Sequence, residues 1–148
     1  MPDAPIAILV VEDEPHSREG LRDLLTGRGY HVETAADLPQ AIRHVNAQRF
    51  AGAIIDLHLS PVQGVTVTGW DIADICRACT PEIIVLFVSA QGGAEVEARA
   101  ARLGRASFLE KPIDPAQLAM TLGLLGLGAR ASESPVTAAA GLTRNAAR

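Results

Sequence analysis

Apolar residues gather into five short runs rich in β-branched and aliphatic side chains, at about 6–11, 30–34, 51–56, 83–88 and 106–109. Between and after them the apolar spacing becomes helical. Such alternation predicts βαβ units and a parallel sheet. Helix one starts at Glu14-Pro15, because proline suits a first helical turn. It turns Leu21, Leu24 and Leu25 inward and ends at Gly27 and Gly29. Helix two runs from an Asp37 cap to Gln48, with Ala41, Ile42 and Val45 facing in. Helix three begins near Gly69-Trp70-Asp71, and helix four spans 94–103 and stops at Gly104. Helix four is rich in Ala, Glu and Arg, which predicts a small inward face and loose packing. Helix five starts near Asp114-Pro115, carries Leu118, Leu122 and Leu125, and is closed by Gly126 and Gly128.

The polar residues that end these runs matter most. Ala53-Ile54-Ile55 leads into Asp56, the first run into Glu12-Asp13, and the fourth into Ser89. The segment Ser107-Phe108-Leu109-Glu110 delivers Lys111-Pro112. In one parallel sheet these groups all emerge at the carboxyl edge, where open α/β sheets bind ligands. Three carboxylates, a hydroxyl and an ammonium then share one cleft.

Bulk properties narrow the function. A chain of 148 residues with 48% hydrophobic content is one domain with a core. Aromatics at 3% and a net charge of −4 offer neither stacking platforms nor a basic footprint for nucleic acid. No apolar stretch reaches the ~18 residues that span a bilayer, and no signal peptide opens the chain, so the expectation is cytoplasmic without a membrane. Cys76 and Cys79 form a C-x-x-C pair inside a helical pattern, with no second ligand pair, and read as packing rather than redox or zinc chemistry. From residue 129 on, large apolar groups nearly vanish, so the domain is expected at 1–128 with a low-complexity tail at 129–148.

Acids brought together unscreened repel by about 3 kcal/mol at ~5 Å and an effective dielectric of ~20. A cation resolves such a cluster. Hard oxygen donors without a His or Cys partner favour Mg²⁺, which keeps water and phosphate oxygens in its shell. Ser89 and Lys111 opposite the acids make an oxyanion cradle. Asp56 ends a central buried strand and is the best nucleophile, with Glu12 and Asp13 holding the metal. Taken singly, an Asp at a strand end is a turn or helix cap and a Lys-Pro is a surface loop. Four such ends in this order are not coincidence.

Ile8-Leu9-Val10-Val11-Glu12-Asp13-Glu14-Pro15, Ile54-Ile55-Asp56-Leu57, Val88-Ser89-Ala90 and Phe108-Leu109-Glu110-Lys111-Pro112 together resemble the receiver domains of bacterial two-component response regulators, across about 6–127. The resemblance implies a doubly wound, flavodoxin-like α/β fold, with five parallel strands in the order 2-1-3-4-5 and helices on both faces. It implies that Asp56 is a phosphoacceptor, loaded from a phosphohistidine on a histidine kinase or histidine phosphotransferase. Glu12, Asp13, Asp56 and the backbone carbonyl of His58 would bind Mg²⁺. Ser89 would swing in to the phosphoryl oxygens, Lys111 would pair with them, and the Lys111–Pro112 bond would be cis. Phe108 matches an aromatic rotamer switch. Phosphorylation would then change binding to a downstream protein, as a monomer or a phosphorylation-dependent dimer, with self-catalysed phosphotransfer and autodephosphorylation as the only chemistry.

Two departures stand out. Gly64 has the spacing of the family's loop glycine, yet 65–70 intervene before helix three, so the loop is about five residues longer than the pattern. It reads either as a surface insertion or as a partial cover over the site. His58 and Gln91, two residues beyond Asp56 and Ser89, occupy positions that tune water access in the family. No output segment follows residue 128, so the expectation is output by contact with another protein. Two other classes compete. A haloacid-dehalogenase-like phosphohydrolase needs an acid where His58 stands and its nucleophile on the first strand. A phosphorylation-independent binding module would not need all five chemical positions filled.

Overall fold

The computed structural model describes residues 4–128, so the expected tail at 129–148 lies outside the described residues. Five strands alternate with five helices: β1 Ala7–Val11, α1 Pro15–Gly27, β2 His31–Ala35, α2 Leu38–Ala47, β3 Gly52–Asp56, α3 Gly69–Cys79, β4 Ile84–Ser89, α4 Ala94–Leu103, β5 Ala106–Glu110 and α5 Pro115–Leu124. All strand pairs are parallel, in the order β2-β1-β3-β4-β5. The expected fold class and strand order are those observed.

The period-two alternation of strands divides the core. Leu9, Val11, Ala53, Ile55, Val85 and Phe87 point to one face, where they meet Ala41 and Val45 of α2, Ile72 and Cys76 of α3, and Ala100 of α4. Ile8, Val10, Ile54, Leu86 and Val88 point to the other, against Leu21 and Leu25 of α1 and Leu118 and Leu122 of α5. Each Val, Leu, Ile or Phe among them contributes about 1.5–3 kcal/mol on removal from water, before entropy is counted. Both layers are needed because β1, β3 and β4 are apolar on both sides.

Helix starts follow their cap residues. The Glu14 carboxylate accepts from Ser17 N at 2.7 Å and His16 N at 3.2 Å. Asp37 caps α2, Asp114 caps α5, and Thr68 forms a capping box with Asp71 at α3. Helix α4 buries only Ala100 and ends at Gly104, as its composition predicts. Its C-terminal turn is tied down from α3 by Arg77, whose guanidinium donates to the carbonyls of Leu103, Gly104 and Arg105 at 3.0, 2.7 and 2.9 Å.

Two expectations on packing need correction. Leu125 is only the half-buried cap of α5; the turn at Gly126 brings Leu127 under the sheet instead, where it touches Gly52 and accepts from the Tyr30 hydroxyl. Cys76 is buried, with its thiol pushed up to about 11 by desolvation, but Cys79 is exposed, so the pair does not pack as a unit.

Candidate functional site

Register sets the site. Val11 is level with Ile55, Asp56 with Val88, and Ser89 with Glu110, so the residues that end or follow four strands surface together. Carboxylate oxygens of Glu12, Asp13 and Asp56 lie within 4.8 Å of one another. Lys111 directly follows β5 and is joined to Pro112 by a cis bond, and its amide donates to Ser89 O at 2.8 Å. Its ammonium donates to Glu12 Oε1 at 2.6 Å and Asp56 Oδ2 at 2.8 Å. Arg18 of α1 donates to the carbonyls of Glu12 and Asp13 at 3.1 and 3.3 Å and fixes the acidic pair against that helix.

The three acids differ in environment. Glu12 is 1% exposed and Asp56 5%, whereas Asp13 is half-buried. Burial pushes the Glu12 carboxyl up to about 7; the Lys111 bond opposes this and the neighbouring Asp56 adds to it. Burial is the largest single influence on Asp13 and would raise it, but hydrogen bonds from the Ser60 side chain and amide (the amide at 2.7 Å from Oδ2), Asp13's own amide and the Lys111 charge together outweigh it and leave Asp13 below the usual carboxylate range. Burial works to lower the Lys111 ammonium, yet its bonds to Asp56 and Glu12 prevail and hold it above an ordinary lysine. The donors are hard oxygens, close together and partly open, which suits a small divalent cation. The ammonium offsets two of the carboxylates meanwhile.

A stability signature follows. Because the folded pKa of Glu12 lies above its unfolded value of 4.5, the stability it contributes is full below pH 4.5 and is lost as pH rises through about 7. The lowered carboxylates act lower: their contribution is present above their unfolded values and lost as pH falls through their folded ones. Between pH 5.5 and 7.5 the chelator-treated protein is therefore expected to lose on the order of 2 kcal/mol. Added Mg²⁺ should shrink that loss, since metal needs the ionised carboxylate. Denaturant titrations across this range test it; a flat or rising profile in chelator rejects the assignment to Glu12.

The remaining expected residues surround the acids. The Ser89 side chain is fully buried, and its Oγ bonds His58 Nδ1 at 2.9 Å and the Gln91 amide at 3.0 Å. The His58 amide donates to Asp56 Oδ1 at 2.9 Å. Phe108 is half-buried on the face covered by α2, α3 and α4, with its ring against the Gly92 backbone; a Cβ there would lie 2.6 Å from Cε2.

The long loop is a small hairpin. His58 pairs with Thr68, and Val62 and Val65 exchange amide–carbonyl bonds of 3.0 and 2.9 Å. Gln63 and Gly64 form the turn, with φ of 51° and 79°. Its tip stands in solvent while its base holds Asp13 and Asp56, so the loop is partly an insertion and partly a wall of the site. Gly64, which matches by spacing, is thus a turn residue. The close-packing glycine is Gly69, where a Cβ would lie 2.5 Å from Asp56 O. Sequence reasoning also missed Ser60, because a backbone amide has no side-chain signature.

Residues 8–122 match the response regulator receiver domain family. The nitrogen assimilation regulatory protein NtrX of Azorhizobium caulinodans is 32% identical over 111 residues, covering 75% of this chain and 24% of that protein. The transcriptional regulatory protein ZraR of Escherichia coli K12 is 32% identical over 117 residues, 79% of this chain and 25% of its own. The chain thus spans about a quarter of the length of these curated relatives. Among solved structures, the chemotaxis protein CheY4 of Vibrio cholerae superposes with a TM-score of 0.72 at 27% identity, covering 82% of this chain and 99% of that one. NtrX from Brucella abortus, solved in complex with ATP, gives 0.71 at 28% identity over 80% of this chain and 26% of its own. With this match across most of its length and the acids and lysine gathered at the carboxyl edge, the chain belongs to the receiver domains of two-component response regulators.

Proposed function

We propose that this receiver is a phosphoacceptor switch in which Asp56 takes a phosphoryl group from a phosphohistidine on a histidine kinase or histidine phosphotransferase. The observation that carries this reading is the convergence of Glu12, Asp13 and Asp56 within 4.8 Å under the Lys111 ammonium. Glu12, Asp13, Asp56 and the His58 carbonyl would hold Mg²⁺. When bound, that ion supplies positive charge to the transferring phosphoryl oxygens.

The protein's own groups do the rest. An Asp56 carboxylate oxygen forms the new O–P bond as the P–N bond to the donor imidazole breaks and its electron pair stays on nitrogen. Lys111, already on Asp56 Oδ2, meets the incoming negative charge. Ser89 turns from its present partners to a phosphoryl oxygen, and Phe108 follows on the same edge. The altered α4–β5–α5 surface then selects a downstream protein. Water reverses the modification, so the domain is a switch with self-catalysed phosphotransfer and autodephosphorylation. Among the described residues no helix is long and apolar enough to cross a membrane. A cytoplasmic setting, where the histidine donors work, fits this role.

The test uses acetyl phosphate with Mg²⁺ and intact mass. One added phosphoryl group, absent in chelator, is the expected result. No adduct despite Mg²⁺ binding would rule out a small acyl phosphate as donor. Neither adduct nor Mg²⁺ binding would replace the switch with a phosphorylation-independent binding module.

A further inference from the structure

Ser89 is the last residue of β4 and its side chain is fully buried. A buried hydroxyl needs partners, and this one has two among the described residues: the Gln91 amide at 3.0 Å and His58 Nδ1 at 2.9 Å. The amide is a donor, so Oγ accepts from it. Oγ could accept a second bond, but of these two partners only His58 Nδ1 can take the hydroxyl hydrogen, so satisfying that buried hydrogen selects the Nε2–H tautomer. Neither Asp56 oxygen is among the partners of Ser89; those oxygens hold the His58 amide and the Lys111 ammonium.

His58 is an exposed residue, yet its backbone is fixed from two sides. Its amide donates to Asp56 Oδ1 at 2.9 Å, and it pairs with Thr68 in an antiparallel bridge. Thr68 in turn caps α3 through the Asp71 amide and side chain. Residues 59–67 connect these anchors, and the Gln63-Gly64 turn returns the chain to make the bridge. The extra loop length thus has a local consequence: it adds the Thr68 bridge to the Asp56 bond on the His58 backbone.

We propose that His58 is a positioning residue that latches the Ser89 hydroxyl away from Asp56, and that the inserted hairpin makes the latch by fixing His58. This rests on the switch reading above, in which Ser89 moves to a phosphoryl oxygen. To do so it must leave His58 Nδ1. Without an acceptor at position 58, the buried hydroxyl is short of a partner only in the unphosphorylated arrangement, which favours the phosphorylated one. The role differs from shielding Asp56 against water, because it operates through Ser89 and on the unphosphorylated state.

The test measures affinity for beryllium trifluoride, a phosphoryl mimic, by titration calorimetry on the full chain with Mg²⁺. His58→Leu, which removes the acceptor, is expected to bind the mimic about 2- to 10-fold tighter, the worth of one net hydrogen bond. His58→Asn, whose Oδ1 can stand where Nδ1 stood, should stay within about twofold of the parent. In a Ser89→Ala background, His58→Leu should change affinity by less than about twofold, because the coupling runs through the hydroxyl. Equal or weaker binding by His58→Leu overturns the latch. So does an undiminished effect of His58→Leu in the Ser89→Ala background, which would assign His58 to steric access. A parent protein that does not bind the mimic at all overturns the switch reading, and the latch with it; that outcome is seen before any variant is compared.

Discussion

Asp56→Asn is expected to gain no phosphoryl group from acetyl phosphate and Mg²⁺ under conditions where the parent gains one. The amide is close to isosteric with the carboxylate but is neutral and a poor nucleophile, so the acceptor chemistry is lost outright. One contact is lost, because the amide nitrogen that replaces Oδ2 cannot accept from Lys111; the others persist. The His58 amide, at 2.9 Å from Oδ1, still finds a carbonyl oxygen, and Lys111 keeps Glu12 Oε1 at 2.6 Å. Removing the Asp56 charge also removes one of the influences that raise the Glu12 carboxyl, so Glu12 titrates lower and pairs with Lys111 more simply. The variant should therefore be folded, with a stability within about 1 kcal/mol of the parent. Intact mass and a denaturant titration read both halves. A folded variant that still takes up a phosphoryl group would move the acceptor to another carboxylate, Asp13 first, since it lies in the same cluster.

The parts of this domain that were legible in the sequence are those whose physics resides in side chains. Runs such as Ile8 to Val11 and Ile54-Ile55 announce strands because both faces of a central parallel strand are buried. Asp37 and Asp114 announce helix starts because their oxygens can satisfy otherwise unpaired amides. The chemical groups were legible for the same reason: a parallel sheet delivers every strand's C-terminal end to one edge. What the sequence concealed was backbone work. Ser60 holds Asp13 through an amide that any residue but proline carries. Gly64 and Gly69 are indistinguishable by composition, and a spacing rule chose the hairpin turn over the glycine that packs. Cys79 and Leu125 fit a helical stripe, but each lies at the end of its helix, where the chain turns and the stripe no longer faces the core. His58 was noted for its position beside Asp56; its ring contact with Ser89 joins the ends of two strands, which spacing alone does not predict.

Gly69→Ala is expected to destabilise the protein by about 3 kcal/mol, at the upper end of the overpacking range. Gly69 is the buried first residue of α3, and its amide donates to Leu57 O at 3.2 Å. A Cβ there would lie 2.5 Å from Asp56 O, 2.9 Å from Leu57 Cα and 3.0 Å from Asp56 C. All three are backbone atoms of β3 or its immediate extension, and the strand is paired on both sides, so no side chain can yield in their place. The helix or the end of β3 must move. Either shift reaches Asp56 and His58, so phosphoryl uptake should slow along with the loss of stability. For a domain of this size the thermal midpoint should fall by roughly 10 °C. Gly20→Ala is the matched control. Gly20 is exposed within α1 with nothing within 4 Å of a Cβ, so the same added methyl should stabilise by about 0.5–1 kcal/mol through helix propensity. Opposite signs for the two substitutions would tie the Gly69 effect to contact with the Asp56 carbonyl. A Gly69→Ala protein as stable as the parent would show that α3 can draw back from β3, and the close approach would not constrain the site.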